Sequence, residues 1–255
     1  MGKIALITGA TSGIGKAIAV KLAENGYDII ITGRREERLR ELEKEIEVKY
    51  GAKVLPLCFD VRVFTEVEEA LTNLPDEWKN IDILINNAGL AVGLNPIHQG
   101  VIDDWERMID TNIKGLLYVT RIVSPKMVER KSGHIINLAS IAGKESYANG
   151  NVYCATKHAV DALSKGMRID LLPYNIKVTQ VCPGAVETEF STVRFKGDQA
   201  RADKVYDGFT PLYAEDIANA VFFAISQPAS VDIQDLLVMP TAQATATIFH
   251  RESKE

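Results

Sequence analysis

Short apolar runs alternate with amphipathic stretches along the whole chain. Ile4 to Ile7 is a buried-strand run closed by Thr8-Gly9, and Ile14, Ile18 and Leu22 then recur at helical spacing until Asn25-Gly26 stops them. The same reading predicts further strands over Asp28–Thr32, Lys53–Phe59, Asp82–Asn86, His134–Leu138, Ile176–Cys182 and Leu236–Met239. Helices are predicted over Glu36–Tyr50, with Leu39, Leu42 and Ile46 as its apolar stripe, then over Val63–Leu74, Asp104–Arg130, Asn151–Leu172 and Glu215–Ser226. Pro125 is expected to kink or interrupt the last turns of the Asp104–Arg130 helix.

The strands are continuous apolar runs, as burial on two faces requires, and they alternate with helices from end to end. That order implies right-handed βαβ units. No linker, repeat or low-complexity tract divides the chain. The expectation is one α/β domain over residues 1–255, a Rossmann-type doubly wound parallel sheet of about seven strands. Ligands of such sheets bind at the carboxyl ends of the strands, so chemistry is sought there.

Composition narrows the function classes. The chain has 255 residues, 46% hydrophobic and 25% charged, which excludes a fibrous or disordered protein. A net charge of −5 gives no global attraction to nucleic acid or anionic lipid, and neither is expected as a partner. No apolar run is long enough to cross a membrane, and the first residues lack the features of a signal peptide or a myristoylation site. Cys58, Cys154 and Cys182 are too few and scattered for a disulfide framework, and they suit a reducing cytoplasm. His98, His134, His158 and His250 show no ligand spacing, so no metal is expected.

The first strand runs into Thr8-Gly9-Ala10-Thr11-Ser12-Gly13-Ile14-Gly15, where a helix opens. Glycines let a pyrophosphate approach the backbone, and the helix start offers free N–H groups and a partial positive charge. Gly9, Thr11, Ser12, Gly13, Ile14 and Gly15 are therefore candidate cofactor contacts. The second strand ends in Arg34-Arg35, where an enzyme for NAD usually carries an acid. Two guanidiniums suit a 2′-phosphate instead, which favours NADP(H). Asp60-Val61 closes the third strand and Asn87-Ala88-Gly89 follows the fourth, both on the same rim. Asp60 is a candidate acceptor for the adenine amino group, and Asn87 a candidate for fixing backbone between strands.

Tyr153 and Lys157 are four apart in one predicted helix and share a face. A phenol with a pKa near ~10 is a poor base at neutral pH, and a neighbouring ammonium favours the phenolate. Ser140, at the end of the fifth strand, could donate to an oxygen that alternates between alcohol and carbonyl. Cys154 lacks an identifiable base and reads as a small core residue, and His158 as a packing residue.

Thr8-Gly9-x3-Gly13-x-Gly15, Asn86-Asn87-Ala88-Gly89, Asn112, Ser140, Tyr153-x3-Lys157 and Pro183-Gly184, in this order, resemble the short-chain dehydrogenase/reductase family over about the whole chain. The resemblance implies Tyr153 as general acid/base, Lys157 as nicotinamide-ribose ligand lowering the tyrosine pKa, Ser140 as substrate orienter, and Asn112 as holder of a water that links Lys157 to solvent. Pro183, Gly184 and the Val186–Thr188 stretch would pack on the nicotinamide. Family membership also implies a homotetramer, built on the helices running from Asp104 and Asn151 and on the last strand region. The tail from Thr241 to Arg251 is expected to reach across an interface.

Longer segments (Gly33 to Leu39, Trp78 to Gly93, Asp104 to Arg121, Thr188 to Asp198) resemble the NADP-dependent 3-hydroxy acid (serine, allo-threonine) dehydrogenases. The implied substrates are L-serine, L-allo-threonine, 3-hydroxypropionate or similar small acids. A reductase of malonate semialdehyde, ketoacids or diketones is the alternative, because one site serves both directions. A dinucleotide-binding protein without turnover is disfavoured by the presence of both Tyr153 and Lys157. A small acid needs a cation for its carboxylate. Arg194 is the candidate, with Lys196 as its rival, and Gly143–Tyr147 lies where substrate would be lined.

Overall fold

The computed structural model describes residues 2–252. Seven strands form one parallel sheet in the order β3-β2-β1-β4-β5-β6-β7. They are β1 (Ile4–Ile7), β2 (Asp28–Gly33), β3 (Val54–Cys58), β4 (Ile81–Asn86), β5 (Gly133–Leu138), β6 (Ile176–Pro183) and β7 (Asp235–Val238). The chain starts in the middle of the sheet, winds outward through β3, returns to β4 beside β1 and winds out the other way. The reversal between β1 and β4 opens a crevice at the carboxyl edge.

Each face of the sheet is covered by helices, which explains why the strands carry no polar alternation. On one face α1 (Gly13–Glu24), α2 (Glu36–Tyr50) and α9 (Ala214–Ile225) bury Ile18, Leu22, Leu39, Ile46, Ile217 and Val221 against Ile7, Ile29 and Ile31. On the other, α3 (Phe64–Thr72) and α5 (Leu116–Arg130) bury Val67, Leu71, Val119, Val123 and Met127 against Leu6, Leu84 and Ile135. α6 (Asn151–Leu171) runs beside β6 and presents Tyr153, Lys157 and Val160 inward.

Three expectations need correction. The predicted Asp104–Arg130 helix starts at Ile102 and has three parts: α4 (Ile102–Ile109), a widened π turn (Asp110–Gly115), and α5. Pro125 lies inside α5 without ending it. A proline inside a helix costs ~3 kcal/mol, but Val123 and Met127 on either side of it are buried against the sheet, and that packing outweighs one lost hydrogen bond. Two short helices between β6 and α9, α7 (Glu189–Arg194) and α8 (Gln199–Lys204), were not predicted. The C-terminal tail does not project away. His250 N–H donates to Ala242 O, Glu252 N–H donates to Gly208 O, and the Arg251 guanidinium lies 5.0 Å from the ring centre of Phe209 and 5.2 Å from that of Phe249, so residues 242–252 fold back on their own chain.

Candidate active site

At the carboxyl edge of β1 the Thr8 hydroxyl accepts hydrogen bonds from Asn87 and Ala88 N–H, both 3.0 Å, while the Asn87 amide donates to Thr8 O and Gly9 O. The expectation that Asn87 fixes backbone between strands holds. Gly9 has a φ of +67°, and a Cβ at Gly15 would collide with the Asn87 amide nitrogen and Gly9 O. The turn is thus pressed against β4 and leaves the start of α1 open. Ser12, the N-cap of α1, makes no cap bond. Its hydroxyl instead accepts from Arg35 at 2.8 Å. Bare N–H groups at this helix start, framed by glycines, fit a pyrophosphate.

The two arginines after β2 take different positions. Arg35 donates to Thr11 Oγ1 and pairs with Glu189 at 3.0 Å. Arg34 is exposed, with Asp60 3.8 Å away. The Asp60 carboxylate is held by Arg62, through Nε at 3.0 Å to both oxygens and Nη2 at 2.6 Å. Burial would raise its pKa, but the Arg62 bonds and charge hold it below the ordinary value. Asp60 and Val61 both line the cavity.

Ser140, at the end of β5, accepts from Ala142 N–H at 3.1 Å and donates to Pro183 O at 3.4 Å, which ties it to β6. Lys157 is buried and donates to Leu138 O at 2.8 Å, with Nζ 6.0 Å from the centre of the Tyr153 ring. Tyr153 is 8% exposed, against the ring of Phe190. Burial drives both groups toward neutrality. It lowers the Lys157 pKa to about 8, and it raises that of the phenol, helped by Tyr147 and opposed by Arg194 and the Ser140 hydroxyl. The sequence-based expectation of a lysine-lowered phenol pKa is reversed in the protein alone, since desolvation outweighs the charges around it.

Asn112 lies in the π turn, behind the cavity wall rather than on it. Its Oδ1 accepts from Leu90 N–H at 2.8 Å, and its amide donates to Leu90 O and to Thr156 Oγ1. Thr156 Oγ1 in turn donates to Tyr153 O at 2.8 Å. The side chain thus joins the loop after β4 to the helix that carries Tyr153 and Lys157.

Arg194 donates from Nη2 to Tyr147 OH at 2.8 Å, lies 5.5 Å from the centre of the Tyr153 ring, and keeps a buried Nε with no partner. Lys196, its rival, pairs with buried Asp104 at 2.8 Å and does not line the cavity. Of the two, Arg194 is the one that lines the cavity. Sequence reasoning missed Gln243, whose Oε1 accepts from Ala185 N–H at 2.8 Å and sits where a Cβ at Gly184 would be. Nothing local marks a glutamine 58 positions from its partner. Only the closed fold brings the tail to Gly184.

One cavity of about 690 Å³ joins these parts: the glycine turn, Arg34 and Arg35, Asp60 and Val61, Asn87 to Gly89, Ser140, Tyr153, Lys157, Pro183 to Val186, Thr188 and Arg194 all line it. Among the described residues no cluster of His, Cys, Asp or Glu is placed to hold a metal ion, and no helix is long and apolar enough to cross a membrane.

The profile of the short chain dehydrogenases matches residues 3–199. The chain is 50% identical over 244 residues to the NADP-dependent 3-hydroxy acid dehydrogenase YdfG of Salmonella typhi, covering 95% of this chain and 97% of that one. It is 43% identical over 252 residues to the NADP-dependent 3-hydroxy acid dehydrogenase of Schizosaccharomyces pombe, covering 98% and 97%. The structure of the closed form of serine dehydrogenase complexed with NADP+ superposes with a TM-score of 0.92 at 49% identity, covering 98% of this chain and all of that one.

Proposed function

The chain belongs to the short chain dehydrogenase family, and on that premise we propose that it is an NADP(H)-dependent oxidoreductase acting on the 3-hydroxyl of small hydroxy acids, such as L-serine, L-allo-threonine or 3-hydroxypropionate. The observation that carries this is the shared cavity, which places a dinucleotide cradle, a basic mouth, the Ser140–Tyr153–Lys157 group and a partly unpaired arginine within one wall.

The cradle would hold the pyrophosphate on Thr11 to Gly15, with Arg34 and Arg35 taking the 2′-phosphate and Lys157 the nicotinamide ribose. When bound, the dinucleotide supplies the hydride acceptor and, in its oxidised form, a positive charge beside the phenol. Everything else falls to the chain. Ser140 donates to the reacting oxygen, and Tyr153 takes the hydroxyl proton in oxidation. Arg194, whose Nε lacks a partner, pairs with the substrate carboxylate and sets its distance from Tyr153. Asn112 keeps the loop after β4 and the Tyr153 turn in register. The raised phenol pKa favours the protonated form, which is the acid that carbonyl reduction needs. The same site therefore serves the reduction of malonate semialdehyde, ketoacids or diketones.

Three unpaired cysteines, two of them buried, fit work in a reducing cytoplasm. Assembly as a homotetramer is part of the proposal, since α5, α6, α9 and β7 each expose a large apolar side chain, Leu117, Ile169, Phe223 and Leu237.

Purified protein given NADP+ and L-serine should show rising absorbance in the reduced-nicotinamide band. Tyr153→Phe should lower kcat by about 10²- to 10⁴-fold with NADP+ binding retained. Arg194→Met should raise KM for serine by ~10-fold or more and leave a neutral alcohol unaffected. A Tyr153→Phe protein as fast as its parent would refute the proposed chemistry.

A further inference from the structure

Glu189 is the first residue of α7, whose last residue, Arg194, lies in the substrate end of the cavity. Its carboxylate does not stay on its own helix. It reaches Arg35 Nη1 at 3.0 Å and Arg38 Nη1 at 2.7 Å, so an anion of the chain occupies the guanidiniums at the cofactor mouth. Arg35 also holds Thr11 Oγ1 and Ser12 Oγ, so the hydroxyls of the glycine turn, the arginine after β2 and the start of α7 form one connected group. Glu189 is half exposed and lines the same cavity.

We infer that Glu189 is a stand-in for the 2′-phosphate: it competes with that phosphate for Arg35, the guanidinium that both would share, and its displacement releases the start of α7 when NADP(H) enters. The inference rests on the reading that the cofactor is NADP(H), and adds to it a link between the adenosine end of the site and the segment that carries Arg194.

Magnitudes decide the direction. Solvent-exposed carboxylate–guanidinium pairs are individually weak. A phosphate monoester brings close to two negative charges and three strong acceptor oxygens, so it prevails over one carboxylate at Arg35, with Arg34 on the same mouth. The displaced carboxylate cannot stay beside a dianion of like sign. The charge on Glu189 is already committed: burial would raise its pKa, yet the bonds from Arg38 and Arg35 hold it below the ordinary value. The other end of α7 has separate anchors. Arg194 O accepts from Gly93 N–H at 3.0 Å, and Lys196 pairs with Asp104 at 2.8 Å. The chain before α7 is tied by Glu187 N–H to Leu212 O at 2.8 Å, and Ser191 is tied to Tyr206 OH at 2.7 Å, so release at Glu189 frees the first turn of α7 between these anchors.

The test is a binding series by calorimetry on wild type and Glu189→Gln, with 2′,5′-ADP, 5′-AMP, NADP+ and NAD+ as probes. Glu189→Gln should bind 2′,5′-ADP and NADP+ about three- to tenfold tighter. 5′-AMP and NAD+ should change less than about twofold, and the gain should shrink in high salt. Limited trypsin digestion reads the second half of the inference. In wild type, 2′,5′-ADP, which does not span the substrate end, should speed cleavage after Arg194, Lys196, Arg201 or Lys204. Glu189→Gln should be cleaved at the faster rate without it. Weaker or unchanged 2′,5′-ADP binding by Glu189→Gln would overturn the competition and make Glu189 an organiser of the arginines. A 2′,5′-ADP effect on digestion that is absent in wild type would overturn the release. Wild type that binds 2′,5′-ADP no tighter than 5′-AMP would instead refute the NADP reading, and this inference with it.

Discussion

Lys157 carries an ammonium into a buried position, where among the described residues its hydrogen-bond partner is a carbonyl oxygen, Leu138 O. Its folded pKa of about 8 lies below the ordinary 10.5 because burial outweighs the small help from Cys182. Between those two values the unfolded chain binds more protons at this position than the folded one, so stability from this group rises with pH across that window and is lost as pH falls through it. The span of about 2.5 units corresponds to on the order of 3 kcal/mol. Urea unfolding of wild type and Lys157→Met at pH 8 and pH 10.5 should show wild type gaining roughly that amount on the variant, whatever the variant's offset at pH 8. A constant gap would mean that the ammonium is not desolvated. The Tyr153-x3-Lys157 pair was legible in the sequence because helical spacing alone puts both on one face. The state of their protons was not, because desolvation depends on Phe190, Tyr147 and Arg194, which reach the phenol from distant segments. Asp60 shows the converse. Arg62, two residues on, was visible in the sequence, but only the turn after β3 folds its guanidinium onto the carboxylate.

Elements with regular patterns were legible to within two residues at each end, and the irregular ones were not. The π turn at Asp110–Gly115 has no apolar signature; Asn112 sits inside what reads as one uninterrupted helix. Its cause is tertiary. Gly115 packs where a Cβ would strike Val61, and the Asn112 amide is drawn to Leu90 and Thr156. α7 and α8 escaped notice because six residues each are too few to show a period. The π turn predicts a specific defect. Asn112→Ala leaves Leu90 N–H and O inside the protein without partners, at about 1–3 kcal/mol for each buried group. It also cuts the link through Thr156 to Tyr153 O. The variant should melt several degrees lower and lose kcat while its KM for NADP+ changes little, because the glycine turn is anchored separately by Asn87. Asn112→Asp, which keeps the acceptor for Leu90 N–H, should recover part of the melting temperature. An Asn112→Ala protein with normal kcat would assign the π turn to stability alone.

At the scale of the molecule, the strand order and the carboxyl-edge cleft followed from alternating βαβ units, and the reversal at β1 and β4 placed the site before any side chain was considered. The tail did not follow, because Gln243 and Arg251 find their partners in their own chain, at Ala185 and around Phe209. The proposed assembly is therefore sought on other surfaces. Ile169 is 73% exposed in α6 and Leu172, just past its end, 75%. Leu237 of the edge strand β7 is half exposed on the same side of the sheet, while Leu236 and Val238 pack toward α9, and among the described residues no strand pairs with the outer edge of β7. The end of α6 and the β7 edge can build two different twofold interfaces, and two such interfaces close into a tetramer. Stable contacts of this kind bury ~800 Å² per partner, so one charge at the centre of a face should open that face and spare the other. Light scattering at micromolar concentration should give four times the chain mass for wild type and twice that mass for Ile169→Glu and for Leu237→Glu. The pair of substitutions together should give a monomer that still binds NADP+, because the cleft is lined by one chain alone. Wild type that scatters as a monomer would remove the assembly from the proposal and leave the chemistry of the cleft standing.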